Sequence, residues 1–160
     1  MFKKISSILI ISIIFIISCG KPNKGDSTLA DDGKKVVTFN NCEVALTPQE
    51  INVLINKGTE FPFTGELLNN KEVGTYSCKI CGTELFKSED KFNSGTGWPS
   101  FDDAIVENIK LVPDGDRVEV TCAVCGAHMG HVFYNEGFTE KGTRYCINSV
   151  SLSFKKIDNK

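Results

Sequence analysis

Hydrophobic and polar residues follow a helical spacing in the stretch around residue 50. Ile51, Leu54 and Ile55 recur at the intervals that place side chains on one face of a helix. The sequence T-P-Q-E at positions 47–50 precedes them, with the threonine and glutamate of a capping box and a proline at the first helical position. The pattern predicts a short helix that begins after this box and is closed by Gly58.

Beyond this helix the hydrophobic runs are short, as in β-strands. Residues 104–112 and 117–122 flank the turn sequence P-D-G-D at 113–116, which predicts a strand–turn–strand unit. Further strands are predicted at residues 131–134, 143–147 and 149–154. The last of these runs alternates strictly between polar and apolar residues, as a half-buried strand does. The predicted class is α+β, mainly antiparallel β.

The N-terminal pattern is that of an export signal. Lys3 and Lys4 precede an apolar stretch at residues 5–17, which is too short for a membrane span of about 20 residues and fits the core of a signal peptide. The stretch ends in I-I-S-C, with Cys19 last, and resembles the lipobox of bacterial lipoproteins. That resemblance implies cleavage before a diacylated Cys19, and an uncleaved anchor with an incidental cysteine is the alternative.

These patterns divide the chain into three parts. We expect residues 1–18 to be a lipoprotein signal peptide, residues 19–42 a lipidated flexible tether, and residues 43–157 one folded domain. The tether is expected because its residues are polar and include glycine, proline and charged side chains. The domain is then expected on the extracytoplasmic face of a cell membrane, held there by its lipid anchor.

Composition narrows the possible functions. The chain has 160 residues, which is enough for one domain of ordinary size. Its formal net charge of −2 argues against a nucleic-acid partner, which would require an excess of basic residues. Seven cysteines accompany only two histidines, and because seven is odd, paired disulfides do not account for all of them.

Four of the cysteines form two copies of a C-x-x-C-G knuckle, which is typical of zinc sites. The knuckles contribute Cys78 and Cys81, and Cys122 and Cys125. Four thiolates complete a tetrahedral Zn²⁺ shell and leave no open position, so the predicted site is structural rather than catalytic. Two redox dithiols or two disulfides are the alternative, but a thioredoxin-like dithiol is expected once rather than as a matched pair.

A further cysteine has the surroundings of a nucleophile. Arg144, Cys146 and Asn148 alternate along a predicted strand and therefore share one face, and a nearby guanidinium favours the reactive thiolate. Both histidines, His128 and His131, follow the second knuckle in one glycine-containing loop. Catalysis is the favoured role of these histidines, while metal binding through H-x-x-H or structural hydrogen bonding are the alternatives.

The single tryptophan, Trp98, lies in a loop with two glycines. An aromatic face on such a loop forms the wall of a small apolar pocket or, alternatively, fills the core beneath the loop.

Several motifs occur together and in order. They are L-T-P-Q-E at 46–50, S-G-T-G-W-P-S-F at 94–101, G-A-H-M-G-H-V-F at 126–133 and R-Y-C-I-N-S at 144–149, besides the two knuckles. This set resembles methionine-R-sulfoxide reductase of the B type across roughly residues 43–157. The resemblance implies two small antiparallel sheets with short peripheral helices, and a zinc site opposite the active face.

The resemblance also implies a reaction. The Cys146 thiolate would attack the sulfur of an R-configured methionine sulfoxide, free or in a protein, and would become a sulfenic acid. The departing oxygen needs a general acid, for which His131 is the first choice and His128 the second. Asn148 and Arg144 would orient polar groups and favour the thiolate. Trp98 would hold the ε-methyl group of the substrate.

The resemblance further implies a thiol reductant, of the thioredoxin type or another, but the recycling route departs from the family pattern. Many relatives carry a recycling cysteine in the tryptophan loop, where this chain has Thr96. Cys42 is the cysteine left over, and one hypothesis is that it attacks the Cys146 sulfenic acid from a mobile segment. The alternative is an inert Cys42 and direct reduction of Cys146.

Two other functions remain to be distinguished from this reductase. One is a zinc-stabilised binding module that holds a ligand in the Trp98 pocket without chemistry. The other is a thiol–disulfide oxidoreductase in which Cys78 and Cys81 change redox state and no zinc is bound.

Overall fold

The computed structural model describes residues 33–157 of the chain, so the predicted signal peptide, Cys19 and the first part of the predicted tether lie outside the described residues. The strands are β1 Lys35–Phe39, β2 Cys42–Leu46, β3 Gly74–Cys78, β4 Glu84–Lys87, β5 Lys91–Phe92, β6 Ser100–Phe101, β7 Ile109–Asp114, β8 Arg117–Cys122, β9 His128–Tyr134, β10 Thr143–Ile147 and β11 Leu152–Lys156. The helix α1 spans Pro48–Leu54, and single 3₁₀ turns occur at Ser88–Asp90, Val106–Asn108 and Ser149–Ser151. Within the described range, no helix is long and apolar enough to cross a membrane.

The strands form antiparallel sheets. The largest has six strands in the order β5-β6-β10-β9-β8-β7, a second has the order β11-β3-β4, and β1 and β2 form a hairpin. The prediction of an α+β fold, mainly antiparallel β, is therefore confirmed. The hairpin adds a third small sheet to the two that the sequence led us to expect.

Helix α1 begins as its sequence predicts. The Thr47 hydroxyl accepts a hydrogen bond from the Glu50 backbone N–H, and the Glu50 carboxylate accepts one from the Thr47 backbone N–H. The end of the helix differs slightly from the prediction, because Lys57 rather than Gly58 takes the left-handed conformation, with φ of 60°. The Gly58 N–H then bonds to the Asn52 carbonyl and closes the last turn.

Part of the predicted tether is folded. Residues 35–42 belong to the β1–β2 hairpin, so the prediction of a flexible segment up to residue 42 is wrong from Lys35 onward. Asn40 and Asn41 form its two-residue turn with φ of 45° and 67°, the positive values that a tight hairpin of this kind requires. Composition alone hides this signal, because asparagine is common in flexible segments as well as in turns.

Two predicted strands are shorter than their hydrophobic patterns suggest. In residues 104–112 the strand begins only at Ile109, after the 3₁₀ turn Val106–Asn108. In residues 149–154 the first three residues form another 3₁₀ turn, although their polar–apolar alternation is regular. Alternation is a local signal, and this turn is held by bonds that involve side chains: the Ser149 N–H donates to the Glu60 carboxylate and the Ser151 hydroxyl donates to the His128 carbonyl.

An aromatic core joins the six-stranded sheet to the three-stranded sheet. Phe101 on β6 stacks on Phe86 on β4 with ring centroids 4.5 Å apart, and it meets the edge of Tyr76 on β3 at 5.0 Å. Tyr145 on β10 contacts the same cluster through Phe86 at 5.7 Å. This packing fixes the rear face of β10 and leaves its front face for the site described next.

Candidate active site and metal centre

A small cavity of about 130 Å³ opens on the front face of the six-stranded sheet. Its walls are formed by Thr59, Trp98, Arg117, Gly130, His131, Phe133, Cys146 and Asn148. Four residues singled out from the sequence therefore meet here: Cys146, His131, Asn148 and Trp98. A larger groove of about 660 Å³ beside α1 contains neither a cysteine nor a histidine. The small cavity is the candidate active site because it holds the predicted nucleophile.

Strand pairing places Cys146 beside His131. The two residues are direct partners in the antiparallel β9–β10 pair, so their side chains lie on the same face. The intervening side chains of β10, Tyr145 and Ile147, are buried in the core behind them. The predicted alternation along this strand is therefore observed.

A β-bulge brings the second histidine to the same face. Along β8 the residues Val120 and Thr121 are adjacent, but their partners on β9 are Gly130 and His128, so Met129 is an extra residue. The extra residue reverses the alternation, and His128 points to the side that His131 occupies. Gly130 is required at this point, because a Cβ there would overlap the Cys146 carbonyl oxygen.

Each histidine is paired with a carboxylate. His131 Nε2 lies 2.8 Å from Asp114 Oδ2, and Asp114 also accepts from Arg117 Nη2 at 2.9 Å. The bond from His131 is the main cause that holds the pKa of Asp114 below its ordinary value. His131 thus has a fixed orientation at the cavity wall.

The carboxylate partner of His128 is Glu119. His128 Nδ1 lies 2.7 Å from Glu119 Oε1, and Lys57 donates to the other oxygen at 2.8 Å. Burial lowers the pKa of His128, although the bond to Glu119 acts in the opposite direction. Burial alone would raise the pKa of Glu119, but the bonds from Lys57 and His128 outweigh it and leave the pKa lowered. Burial therefore favours the neutral form of His128, and its buried Nε2 has no hydrogen-bond partner among the described residues.

Arg144 stands beside the cavity rather than in its wall. Its Nε and Nη2 donate to the Glu136 carboxylate at 2.7 and 3.0 Å, and its guanidinium lies 4.6 Å from the Phe133 ring centroid. Burial raises the pKa of the Cys146 thiol, and the neighbouring Arg144 charge, which lowers it, does not offset that burial. The sequence argument that the guanidinium favours the thiolate is thus correct in direction, but burial dominates.

The Trp98 loop is tied to the turn that carries Asn148 through one glutamate. Trp98 Nε1 donates to the Glu60 carbonyl at 3.2 Å, and the Glu60 backbone N–H donates to Asn148 Oδ1 at 3.1 Å. The buried Glu60 carboxylate in turn accepts from the backbone N–H groups of Ser149 and Val150. Trp98 is therefore a half-buried cavity wall and not a plug of the core.

Hydroxyl groups occupy the loop position where many relatives of the predicted family carry a cysteine. Thr96 bonds to Ser94 at 2.8 Å, and Ser94 bonds to Ser100, the β6 partner of Cys146. A hydrogen bond from Thr96 also acts to lower the pKa of Cys146, although burial remains the larger influence. Thr96 therefore offers a polar contact to the nucleophile but no thiol chemistry.

Cys42 lies elsewhere in the fold. It is the first residue of β2 and only 7% of it is exposed, so it lies in folded structure, and its role in recycling stays a prediction. The neighbouring turn residue Asn40 donates from its side-chain amide to the Cys125 carbonyl at 2.6 Å. Cys42 thus belongs to the hairpin that packs at the knuckle cysteines.

The four knuckle cysteines converge on one point. Their sulfur atoms all lie within 4.8 Å of one another, with Cys78 to Cys125 at 3.6 Å and Cys81 to Cys122 at 3.5 Å. These separations are too long for disulfides, whose sulfurs lie about 2.05 Å apart. Four sulfurs bound tetrahedrally at about 2.3 Å from one zinc ion would lie about 3.8 Å apart, which the cluster fits.

The two knuckles are also alike in backbone structure. In each, the glycine after the second cysteine has a positive φ, 74° at Gly82 and 76° at Gly126. Each glycine N–H donates to the carbonyl of the first cysteine of its knuckle at 2.8 Å. The cluster therefore suits a closed four-thiolate metal centre that would link the β3–β4 loop to the β8–β9 loop.

Comparison with known proteins decides the family. The model of the SelR domain matches residues 46–156, which is most of the chain. The chain belongs to the SelR family. The peptide methionine sulfoxide reductase MsrB of Methanosarcina barkeri is 55% identical over 115 residues, which cover 69% of this chain and 80% of the relative.

Two further relatives are also named as methionine sulfoxide reductases. The peptide methionine sulfoxide reductase MsrB of Methanosarcina mazei is 54% identical over 119 residues and covers 71% of this chain and 84% of the relative. The mitochondrial methionine-R-sulfoxide reductase B3 of Mus musculus is 45% identical over 147 residues, which are 89% of this chain and 57% of the relative. The predicted membership of the methionine-R-sulfoxide reductase family is thereby confirmed.

Sequence reasoning missed the carboxylates of this SelR-family site. Asp114 and Glu119 are bonded to the two histidines and Glu136 to Arg144, yet the sequence marked none of them as part of the site, and Asp114 only as part of a turn. A signal for Glu119 exists in the alternation R-V-E-V-T along β8, where the polar positions share one face. From the sequence alone this face cannot be told from one that is exposed to solvent, whereas in the structure Glu119 on this face bonds to His128.

Proposed function

We propose that this protein reduces the R-sulfoxide of methionine, in peptides and proteins or as the free amino acid, with Cys146 as nucleophile. The observation that carries the proposal is the pairing of Cys146 with His131 across β9 and β10, at a cavity of about 130 Å³ walled by Trp98. Membership of the SelR family and the names of its relatives support the substrate.

As far as the sulfenic acid, the proposed reaction needs no group beyond the substrate and this chain's side chains. The Cys146 thiolate attacks the sulfoxide sulfur and forms a bond to it, and the oxygen gains one proton as its bond to that sulfur weakens. The protonated oxygen moves to the Cys146 sulfur as the new sulfur–sulfur bond breaks, so that methionine leaves with its sulfur reduced and Cys146 is oxidised to a sulfenic acid. Two external thiols then return Cys146 to the thiol, releasing water and a disulfide.

The side chains around Cys146 have separate roles in this reaction. His131 lines the cavity opposite Cys146 and acts as the general acid, while its bond to Asp114 fixes the ring. Asn148 orients polar groups of the substrate from the cavity wall, and Trp98 contacts its methyl group. Arg144 supplies positive charge near the thiolate from outside the wall.

The metal centre has a structural part in this proposal. Cys78, Cys81, Cys122 and Cys125 would hold one zinc ion, which cross-links two loops and leaves no coordination position for substrate. The second knuckle directly precedes β9, so this cross-link anchors the strand that carries both histidines.

Direct reduction of Cys146 by an external thiol, such as a thioredoxin-like protein, is the recycling route we favour. It is supported by the burial of Cys42 in β2 and by the bond from Asn40 that holds its hairpin at the Cys125 knuckle. An attack by Cys42 on Cys146 would require the hairpin to detach. After one turnover without reductant, mass spectrometry should find a trappable Cys146 sulfenic acid, and Cys42→Ser should recycle normally. A disulfide between Cys42 and Cys146 would refute direct reduction.

Export is the second part of the proposal. The basic and apolar N-terminal segment and the lipobox-like sequence before Cys19 support a lipid-anchored protein on the extracytoplasmic face of a cell membrane. Incorporation of a labelled fatty acid by the wild-type chain, and its loss in Cys19→Ser, is the expected result. Equal labelling of both forms, or of neither, would overturn lipidation at this residue.

The decisive experiment for the reaction is stereospecific. The wild-type protein should form methionine from the R-sulfoxide and not from the S-sulfoxide, and Cys146→Ser should form none. Binding without turnover would instead indicate a ligand-binding module. Absence of zinc together with redox cycling of Cys78 and Cys81 would indicate a thiol–disulfide oxidoreductase.

A further inference from the structure

Two phenylalanine side chains project into solvent beside the candidate active site. Phe61 is 80% exposed and Phe63 is 68% exposed, and both lie in the loop after α1, next to the cavity residue Thr59. Single exposed apolar residues are ordinary on protein surfaces. Two large aromatic rings within three residues, at the edge of a cavity, are the arrangement found where a partner binds.

This aromatic loop is fastened to the Trp98 loop. The Phe63 N–H donates to the Gly97 carbonyl at 2.8 Å, and Trp98 Nε1 donates to the Glu60 carbonyl at 3.2 Å. The two loops approach so closely that a Cβ at Gly97 would lie 2.7 Å from the Cβ of Pro62. Phe61 and Phe63 are therefore held in place relative to the wall of the cavity.

The backbone of Phe63 adopts an uncommon conformation. Its φ is 66°, in the left-handed region that bulky residues rarely adopt because it is strained. The conformation is kept by the bond to Gly97, and the ring remains largely in solvent. Strained backbone of this kind concentrates at sites that clamp ligands.

The size of the cavity identifies the occupant. At about 130 Å³ it is well below the roughly 300–1,000 Å³ of ordinary ligand pockets, a size that suits one side chain. When methionine sulfoxide is part of a protein, its main chain must therefore cross the cavity mouth. The cavity wall includes Arg117, which is paired with Asp114, and Thr59, which directly precedes the segment that carries the two phenylalanines.

We propose that Phe61 and Phe63 form an apolar rim that binds the residues flanking the oxidised methionine in an extended segment of a protein substrate. The inference rests on the proposed function and adds its substrate class, a peptide segment with apolar side chains next to the sulfoxide. The free amino acid has no flanking residues and therefore makes no contact of this kind with the rim. Because the rim is held in place before binding, little conformational freedom is lost when a peptide covers it.

The test compares three substrates and two variants. The substrates are free methionine R-sulfoxide, a short peptide with leucine on both sides of the sulfoxide, and the same peptide with glycine on both sides. The rim variant combines Phe61→Ser with Phe63→Asn, because asparagine tolerates the left-handed backbone. The control variant is Val106→Ser, which removes an equally exposed apolar side chain (65%) from the 3₁₀ turn at residues 106–108.

The rim variant should raise KM for the leucine-flanked peptide roughly tenfold, as expected for loss of buried apolar contact, with kcat unchanged. Its KM for free sulfoxide and the glycine-flanked peptide should change little, and Val106→Ser should behave like wild type. An equal rise in KM for all three substrates would overturn the proposal, because the phenylalanines would then only support Trp98. Unchanged KM values would overturn it as well.

A failure of the proposed function is separable from a failure of the rim. Turnover of free R-sulfoxide by the wild-type protein tests the reaction alone. If that turnover is absent, binding to Cys146→Ser tests the rim, because the fluorescence of the single tryptophan reports on the cavity wall. The leucine-flanked sulfoxide peptide should then change the fluorescence of Cys146→Ser at a concentration about tenfold lower than it needs with Cys146→Ser that also carries both rim substitutions. Equal concentrations, or no change, would refute the rim.

Discussion

His128 and His131 lie on one face of β9, with ring centroids 5.4 Å apart in an edge-to-face contact. In a regular strand, side chains three residues apart point to opposite faces, so this contact depends on the bulge at Met129. The two rings nevertheless differ in position. His131 lines the cavity, whereas His128 is 2% exposed and is bonded to Glu119.

The first prediction concerns the general acid. His131→Gln should lower kcat by roughly 10²–10⁴-fold, the usual contribution of a positioned acid or base. Alkylation of Cys146 should continue, because the variant leaves the nucleophile in place. His128→Gln should retain more activity, since His128 is not part of the cavity wall. If His128→Gln had the larger effect on kcat, the roles of the two histidines would have to be exchanged.

The second prediction concerns the charge near the nucleophile. The Glu136 carboxylate holds Arg144 through two hydrogen bonds, and its negative charge raises the pKa of Cys146 in addition to burial. Glu136→Gln removes that charge, so the pH at which Cys146 becomes reactive toward an alkylating reagent should fall. Glu140→Gln, in the same loop, serves as the matched control. An unchanged or higher midpoint in Glu136→Gln would contradict this account.

The third prediction concerns the close approach of β9 and β10. Gly130→Ala should destabilise the protein and lower kcat, because the new Cβ overlaps the Cys146 carbonyl and backbone atoms there move only together with the sheet. Gly137→Ala is the control, with a positive φ of 76° but open space around the added carbon. It should cost only the roughly 1–2 kcal/mol of a left-handed alanine. If urea unfolding gave Gly130→Ala and Gly137→Ala the same loss of unfolding free energy, the structure would have relieved the overlap at residue 130.

The fourth prediction concerns the metal centre. Metal analysis should find one zinc ion per chain, and chelation or Cys125→Ser should unfold the domain, because closed zinc sites contribute directly to folding. Restoring zinc after chelation should restore the thermal transition. A metal-free protein with an unchanged melting temperature would contradict the structural assignment of these cysteines.

The sequence predicted those parts of the site that depend on spacing within a short segment. The i, i+2 relation of Cys146 and Asn148 holds because the backbone stays extended past the end of β10 through Asn148, and the repeated C-x-x-C-G knuckle fixes its own backbone through the bond of each glycine to the first cysteine. Such features need no knowledge of the rest of the chain.

The features that were missed depend on pairing between distant segments. The bulge at Met129 exists only against β8, so H-x-x-H does not by itself show that the histidines meet. Glu119 resembles a solvent-facing residue of β8 until Lys57, 62 positions away, is seen to bond to it. The β1–β2 hairpin was missed because its turn, at Asn40 and Asn41, was interpreted as part of a polar tether.

The last prediction follows from the burial of His128. Burial lowers its pKa in the folded state, whereas an unfolded chain returns it to about 6.5. Below that pH the unfolded state binds more protons than the folded state. The free energy of unfolding should therefore have its highest value above about pH 6.5 and should decrease as the pH falls. The decrease from one such group approaches about 1.4 kcal/mol per pH unit.

In His128→Gln the slope of unfolding free energy against pH should be smaller below pH 6.5, whatever the absolute stability of the variant, and urea unfolding at several pH values measures it. Glu119 adds its own loss only at lower pH, because its pKa is lowered from a carboxylate value. An identical slope in wild type and His128→Gln would show that His128 does not remain neutral in the folded protein.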